Sequence, residues 1–261
     1  MTAHVREAGA GPAVVCLHAN ASTSGQWRAL GERLSGRFRV LAVDAYGAGK
    51  SPAWPADARG TLDEELALLQ PVLDALDGKF HLVGHSYGAA LALKAVLRDP
   101  GQVASMALYE PTLFALLLAQ DAHHPAVQGI RDAAIDAAAA VERGDLQAAG
   151  ERFIDYWMGA GAWAAMPQAR RAAVAPAMRA VRHWAHALMT EPTPLARFAG
   201  LEVPVLYMAG TRSPASSRGV FDLLKGVLPA VQVVEFAGLG HMGPVTHPDL
   251  VNEVIAKHLG A

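Results

Sequence analysis

Phe80-His81-Leu82-Val83-Gly84-His85-Ser86-Tyr87-Gly88-Ala89-Ala90 is the stretch on which the reading of this chain turns. An apolar run enters Gly-x-Ser-x-Gly, and a small-residue helical run, Ala89 to Leu97, follows it. Strand, sharp turn and helix in that order make a nucleophile elbow. A serine at the tip of such a turn holds its hydroxyl clear of the sheet. Gly84 and Gly88 leave room for the backbone to fold back where a Cβ would crowd the turn. The backbone N–H of Tyr87 then sits at a helix N-terminus, aimed where an oxyanion develops when Ser86 attacks a carbonyl. The competing reading is an ordinary strand-to-helix turn that happens to carry a serine. The flanking strand and helix weigh against it.

Working outward, Ala13 to Leu17 and Arg39 to Val43 are continuous apolar runs of the kind found in buried parallel strands. A short first strand is expected within residues 4–9, and further strands at Val103 to Tyr109, Val203 to Gly210 and Val231 to Phe236. Helices are expected from about Ser24 to Ser35, and from the capping box Thr61-Leu62-Asp63-Glu64 to about Leu76. Another follows Ser86, one covers about Arg218 to Leu228, and a last one about Pro248 to Leu259. Strands alternating with helices predict an α/β fold, a mostly parallel, doubly wound sheet with helices on both faces. Gly47-x-Gly49 lacks the third glycine and the helix that dinucleotide binding requires.

From Thr112 to Arg197 the pattern changes: alanine is abundant, no strand is legible, and prolines punctuate helical stretches at 112–120, 125–143, 145–158 and 168–190. The expected organisation is a core of residues 1–111 and 198–261 with a helical cap, residues 112–197, inserted after the strand that ends at Tyr109. The aromatic and thioether side chains of the cap, among them Trp157 and Trp184, suit an apolar substrate pocket, although aromatics at helical spacing also serve as packing.

The 261 residues are 52% hydrophobic and 18% charged, with a net charge of −2. That balance supports a large core and gives no bulk electrostatic pull toward nucleic acid or an anionic membrane. No membrane span and no secretion signal are expected. The single cysteine, Cys16, reads as a buried strand thiol, consistent with a reducing, cytoplasmic location. The histidines at 123, 124, 183 and 186 lack the carboxylate or thiolate companions of a metal site, so no metal is expected.

Val14-Val15-Cys16-Leu17-His18-Ala19-Asn20, Asp44-x-x-Gly47-x-Gly49-x-Ser51, the elbow, and Gly240-His241 after the last strand occur in one order along the chain. In these motifs the chain resembles the α/β-hydrolase superfamily over almost its whole length. The resemblance implies Ser86 as nucleophile and His241 as general base and then acid, because a serine hydroxyl needs a neighbouring imidazole to accept its proton. It implies an oxyanion hole from the backbone N–H groups of Tyr87 and of the loop after His18, with Asn20 the favoured donor. His18, Trp157, Trp184 and Met242 are expected to bind substrate. No organic cofactor is implied.

In two places the chain departs from the family pattern. Ala19 replaces the family's glycine after the histidine, and Ser213 stands where the triad acid usually follows the seventh strand of the family's count. Glu110, at the end of what that count makes the sixth strand, resembles the acid of those haloalkane dehalogenases that carry a glutamate there. The order Ser86, Glu110, His241 is compatible with it. Asp222 is the weaker alternative. The expected activity is hydrolysis of a small carboxylic ester or related apolar acyl compound through an acyl-enzyme. Carbon–carbon, thioester and lactone hydrolysis on the same scaffold stay open, as does a ligand-binding protein that has lost turnover.

Overall fold

The structure, a computed structural model, describes residues 2–261. Its centre is a seven-stranded sheet: β1 (Val5–Ala8), β2 (Ala13–Leu17), β3 (Arg39–Val43), β4 (Phe80–His85), β5 (Val103–Tyr109), β6 (Val205–Gly210) and β7 (Val231–Phe236). The spatial order is β1-β3-β2-β4-β5-β6-β7. Only β1 runs antiparallel, against β3; every other pairing is parallel. The central strands are continuous apolar runs because both their faces are covered; β2 and β6 are buried at every residue.

Alternate residues of one strand serve the two faces. Val14 and Cys16 of β2 join a core with Trp27, Leu30, Val251 and Ile255. Val15 and Leu17 face the opposite way, into a core with Leu62, Leu66 and the alanines that follow Ser86. The first core is closed by α1 (Arg28–Leu34), the second by α2 (Leu62–Asp74) and α3 (Tyr87–Arg98). The capping box forms as expected: Thr61 Oγ1 accepts from the Glu64 amide and Glu64 accepts from the Thr61 amide.

Between β5 and β6 the chain is helical: α4 (Ala115–Leu118), α5 (Pro125–Glu142), α6 (Leu146–Met158), α7 (Ala162–Ala165), α8 (Gln168–Val174) and α9 (Val181–Thr190). The single helix expected over 168–190 is broken, because a 3-10 segment, Ala175–Ala180, carries Pro176 and separates α8 from α9. This insertion follows the fifth strand of the sheet, since the chain forms one strand fewer ahead of it than the family count supposes. After β6 come α10 (Ala215–Val227), α11 (Gly243–Thr246) and α12 (Pro248–Leu259), the last packing on the first core beside α1.

Parallel strands end on one edge. Leu17 pairs with Gly84, His85 with Tyr109, Tyr109 with Met208 and Gly210 with Phe236. The loops that begin at His18, Ser86, Glu110, Thr211 and Ala237 therefore emerge side by side, where open α/β sheets place their sites.

Candidate active site

Ser86 sits between β4 and α3 with φ 56° and ψ −117°, in the sparsely populated region where a non-glycine residue costs about 1–3 kcal/mol. Its neighbours hold it there. The Ser86 amide donates to Tyr109 O at 2.9 Å, and Ser86 O accepts from the amides of Ala89 and Ala90. A Cβ on Gly84 would lie 2.5 Å from Ala89 Cα, and one on Gly88 would overlap the carbonyl of Leu17. Both glycines are thus demanded by the close approach of helix and sheet.

His241, in the loop after β7, reaches both ways. Ser86 Oγ donates to His241 Nε2 at 2.8 Å, and His241 Nδ1 donates to Glu110 Oε2 at 2.6 Å. An ionised carboxylate only accepts, so Glu110 places the ring proton on Nδ1 and leaves Nε2 free to accept from serine. Ser217 Oγ lies 3.2 Å from the same Nδ1. Glu110 is fully buried and has φ 45°. Its second oxygen accepts from the Gly210 amide at 2.7 Å and from Ser213 Oγ at 2.5 Å. The serine at the usual acid position thus donates to the carboxylate that contacts His241. Asp222 lies away from the site; it is exposed and pairs with Lys225 at 2.9 Å.

The family model described as the alpha/beta hydrolase fold matches residues 12–248. The chain belongs to the α/β-hydrolase fold family. It is 39% identical over 111 residues to a haloalkane dehalogenase of Agrobacterium fabrum, covering 42% of this chain and 36% of that one. It is 34% identical over 109 residues to a pimeloyl-[acyl-carrier protein] methyl ester esterase of Nitrosomonas europaea, covering 42% and 41%. The matches thus span well under half of either relative. Among solved structures, an α/β hydrolase from Sphaerobacter thermophilus is 27% identical with a TM-score of 0.68, covering 98% of this chain and 96% of that one. The enol-lactonase of Burkholderia xenovorans, at 18% identity and TM-score 0.77 over 99% and 96% of the two chains, shares the fold.

In this hydrolase-fold chain the cleft above Ser86 encloses about 620 Å³ of space, part of it open to solvent. Ser86, His241, Asn20, Trp157 and Met242 line it, with Phe153 and Leu188 among the apolar walls and Arg170 the one arginine. Two expected substrate contacts are elsewhere. His18 has both nitrogens engaged: Nδ1 donates to Ala19 O at 2.7 Å and Nε2 accepts from the Ala45 amide at 3.0 Å. It ties the loop after β2 to the loop after β3, and burial holds its pKa down. Trp184 packs on Phe153, with ring centroids 5.9 Å apart, inside the insertion's own core and outside the cleft lining.

The two expected oxyanion donors come from different loops: Tyr87 follows Ser86 directly, and Asn20 lines the same cleft from the loop after β2. Tyr87 opens α3, where the first amides have no helical acceptor. The Ala19 amide is taken by Gln26 Oε1 at 3.1 Å, while the Asn20 amide has no protein acceptor among the described residues. Gln26 itself carries no sequence signal, yet it links two loops. Its Nε2 donates to His85 Nδ1 at 3.1 Å, and His85 Nε2 donates to His241 O at 2.8 Å. Burial, with the nearby His241 adding to it, keeps the His85 pKa well below that of a free imidazole, so its neutral form supports both bonds.

Beneath the elbow, Glu65 accepts from the Tyr46 amide at 2.8 Å and from Tyr87 Oη at 2.9 Å, and burial pushes its pKa up to about 7. Among the described residues no group of three or more His, Cys, Asp or Glu side chains is arranged to hold a metal, and no helix is long and apolar enough to cross a membrane.

Proposed function

We propose that the protein is a serine hydrolase that cleaves a small carboxylic ester or related acyl compound. The observation that carries this reading is the unbroken chain Ser86–His241–Glu110 on the floor of an apolar cleft. Ser86 Oγ attacks the carbonyl carbon while His241 Nε2 takes its proton. Glu110 stabilises the imidazolium by charge and keeps the ring aligned. The oxyanion accepts from the amides of Tyr87 and Asn20. His241 then protonates the leaving group. A water, deprotonated by the same nitrogen, attacks the acyl-serine and releases the acid.

A serine at the elbow distinguishes this chain from halide displacement, the activity named for one relative. Alkylating a serine oxygen would leave an ether, which water does not cleave under these conditions. Acylating it leaves an ester, which the same machinery hydrolyses. The absence of a carboxylate from 211–220 favoured a binding-only protein; Glu110 supplies that carboxylate and supports turnover. Residues 112–197 act as the cap that shapes the acyl pocket, a role supported by the α6 side chains Phe153, Ile154 and Trp157 in the cleft wall. The buried, unpaired thiol of Cys16 suits a reducing compartment such as the cytoplasm.

The test is hydrolysis of short-chain p-nitrophenyl esters, with thioesters and lactones in parallel, beside labelling by a fluorophosphonate. Wild type should turn over at least one class and label at Ser86, and Ser86→Ala should do neither. A folded wild type that neither labels nor hydrolyses any of them, yet binds ligands saturably, would establish the binding protein instead.

A further inference from the structure

Both ring nitrogens of His241 are committed, Nε2 to Ser86 and Nδ1 to Glu110 with Ser217 Oγ beside it, which leaves the faces of the imidazole for larger groups. Trp157 of α6 lies across one face. The ring centroids are 4.0 Å apart and the planes differ by 26°. The indole is itself held in place. Tyr156 meets it edge-on at 4.9 Å, and Phe114 stacks on it at 6.4 Å. Tyr156 is in turn anchored by a 2.7 Å hydrogen bond between its hydroxyl and Ser216 Oγ. Trp157 and His241 are both nearly sealed from solvent.

A cation over an indole face is attracted by the ring quadrupole, and more strongly where water is excluded. We propose that Trp157 is a positioning residue that stabilises the imidazolium form of His241, so that the helical insertion acts on the reaction as well as on the choice of substrate. The proposal rests on the serine-hydrolase reading for its timing. When the proton of Ser86 Oγ moves to Nε2, the positive charge forms directly beneath the indole. It disappears when that proton passes to the leaving group.

The other ionisable groups around the ring are Glu110, just after β5, His85 from β4 and, along the cleft wall, Arg170 from α8. Glu110 is the permanent counter-charge. His85 is neutral, with one nitrogen accepting from Gln26 and the other donating to His241 O. Trp157 therefore adds a stabilisation that is largest when the charge is present.

The experiment compares wild type with Trp157→Phe and Trp157→Leu. Leucine keeps the site dry but has no π face. The kcat of Trp157→Leu should fall by about 2- to 30-fold. The acid limb of its kcat/KM profile should move to lower pH by a few tenths to about one and a half pH units. Trp157→Phe should fall between the two. A second readout needs no substrate. Imidazolium quenches a stacked indole, so wild-type tryptophan emission should drop as the pH is lowered through the kinetic pKa, and His241→Gln should abolish the part of that drop that Trp157→Phe removes. Trp54 stacks on His183 at 5.0 Å, so its contribution is subtracted with Trp157→Phe. An unmoved acid limb in folded Trp157→Leu would overturn the proposal. So would a wild-type emission change no larger than that of Trp157→Phe, or a Trp157-dependent part of it that survives His241→Gln. Should Trp157→Leu fail to fold, the emission titration of wild type against His241→Gln decides. Failure of Ser86 to label would instead overturn the hydrolase reading, and the emission titration would still judge the stack.

Discussion

Glu110 gives one carboxylate oxygen to His241 and the other to two donors, Gly210 N–H and Ser213 Oγ. Three hydrogen bonds fix this buried carboxylate in place and leave one oxygen aimed at the histidine. Glu110→Gln keeps the shape but removes the charge and can present an N–H to Nδ1, which favours the wrong tautomer. Its kcat on a reactive ester should fall by two to four orders of magnitude, with KM little changed. Ser213→Ala removes one of the three donors and leaves the triad contacts in place. We expect a loss of about tenfold or less in kcat. Steady-state kinetics of the two variants on one reactive ester check both expectations. An unaffected Glu110→Gln beside an inactive Ser213→Ala would reverse the roles assigned to these two residues.

The elements matter because they hold strained and distant groups together. The elbow places Ser86 at a positive φ, and the close contact of α3 with β4 and β2 makes that arrangement cooperative. Gly84→Ala would drive a methyl into the α3 backbone at Ala89. It should cost about 3 kcal/mol or more, read as a lowered urea midpoint with an unchanged slope. At the other end of α3, Lys94 donates to Glu191 at 2.9 Å, where the insertion returns toward the sheet, and also contacts Asp63 of α2 at 3.1 Å. Glu191 is buried, so removing its cation strands a charge. Lys94→Met should lower stability by about 2–4 kcal/mol, and Lys94→Met with Glu191→Gln should recover part of it. A loss in the double variant equal to the sum of the losses in Lys94→Met and Glu191→Gln alone, measured by urea unfolding, would mean that the pair contributes nothing as a pair.

For the molecule as a whole, the buried Glu65 makes stability depend on pH. Burial raises its pKa from 4.5 to about 7 against the pull of its two hydrogen bonds. Between those values the folded chain keeps a proton that the unfolded chain has released. Stability contributed by this group is therefore greatest at low pH and falls as pH rises through the window from 4.5 to about 7. The effect is bounded at about 3 kcal/mol. Glu65→Gln should flatten that part of the curve of unfolding free energy against pH. Because the Tyr87 hydroxyl rests on Glu65 and the Tyr87 amide is the proposed oxyanion donor, the same variant tests whether the elbow tolerates loss of that carboxylate.

Local pattern determined a good deal of this protein. Continuous apolar runs in β2, β3, β4 and β5 gave away strands covered on both faces, because a strand's environment is written in its own side chains. The glycines around Ser86 and the capping box at Thr61 were legible for the same reason: their chemistry acts within a few residues. Groups brought together by strand register were not legible from local pattern, and the grouping of Glu110 with His241 came only from the family resemblance. Glu110 and His241 are 131 positions apart, and no spacing rule connects them. Only the parallel alignment of β5, β6 and β7 brings Glu110, Ser213 and His241 to one edge and sets Asp222 outside it. The helical insertion shows the same division. Its aromatic residues announced an apolar surface, but helical periodicity cannot say which face meets which partner. Tertiary packing turned Trp184 into the insertion's own core, bound both nitrogens of His18 to backbone, and laid Trp157 over His241.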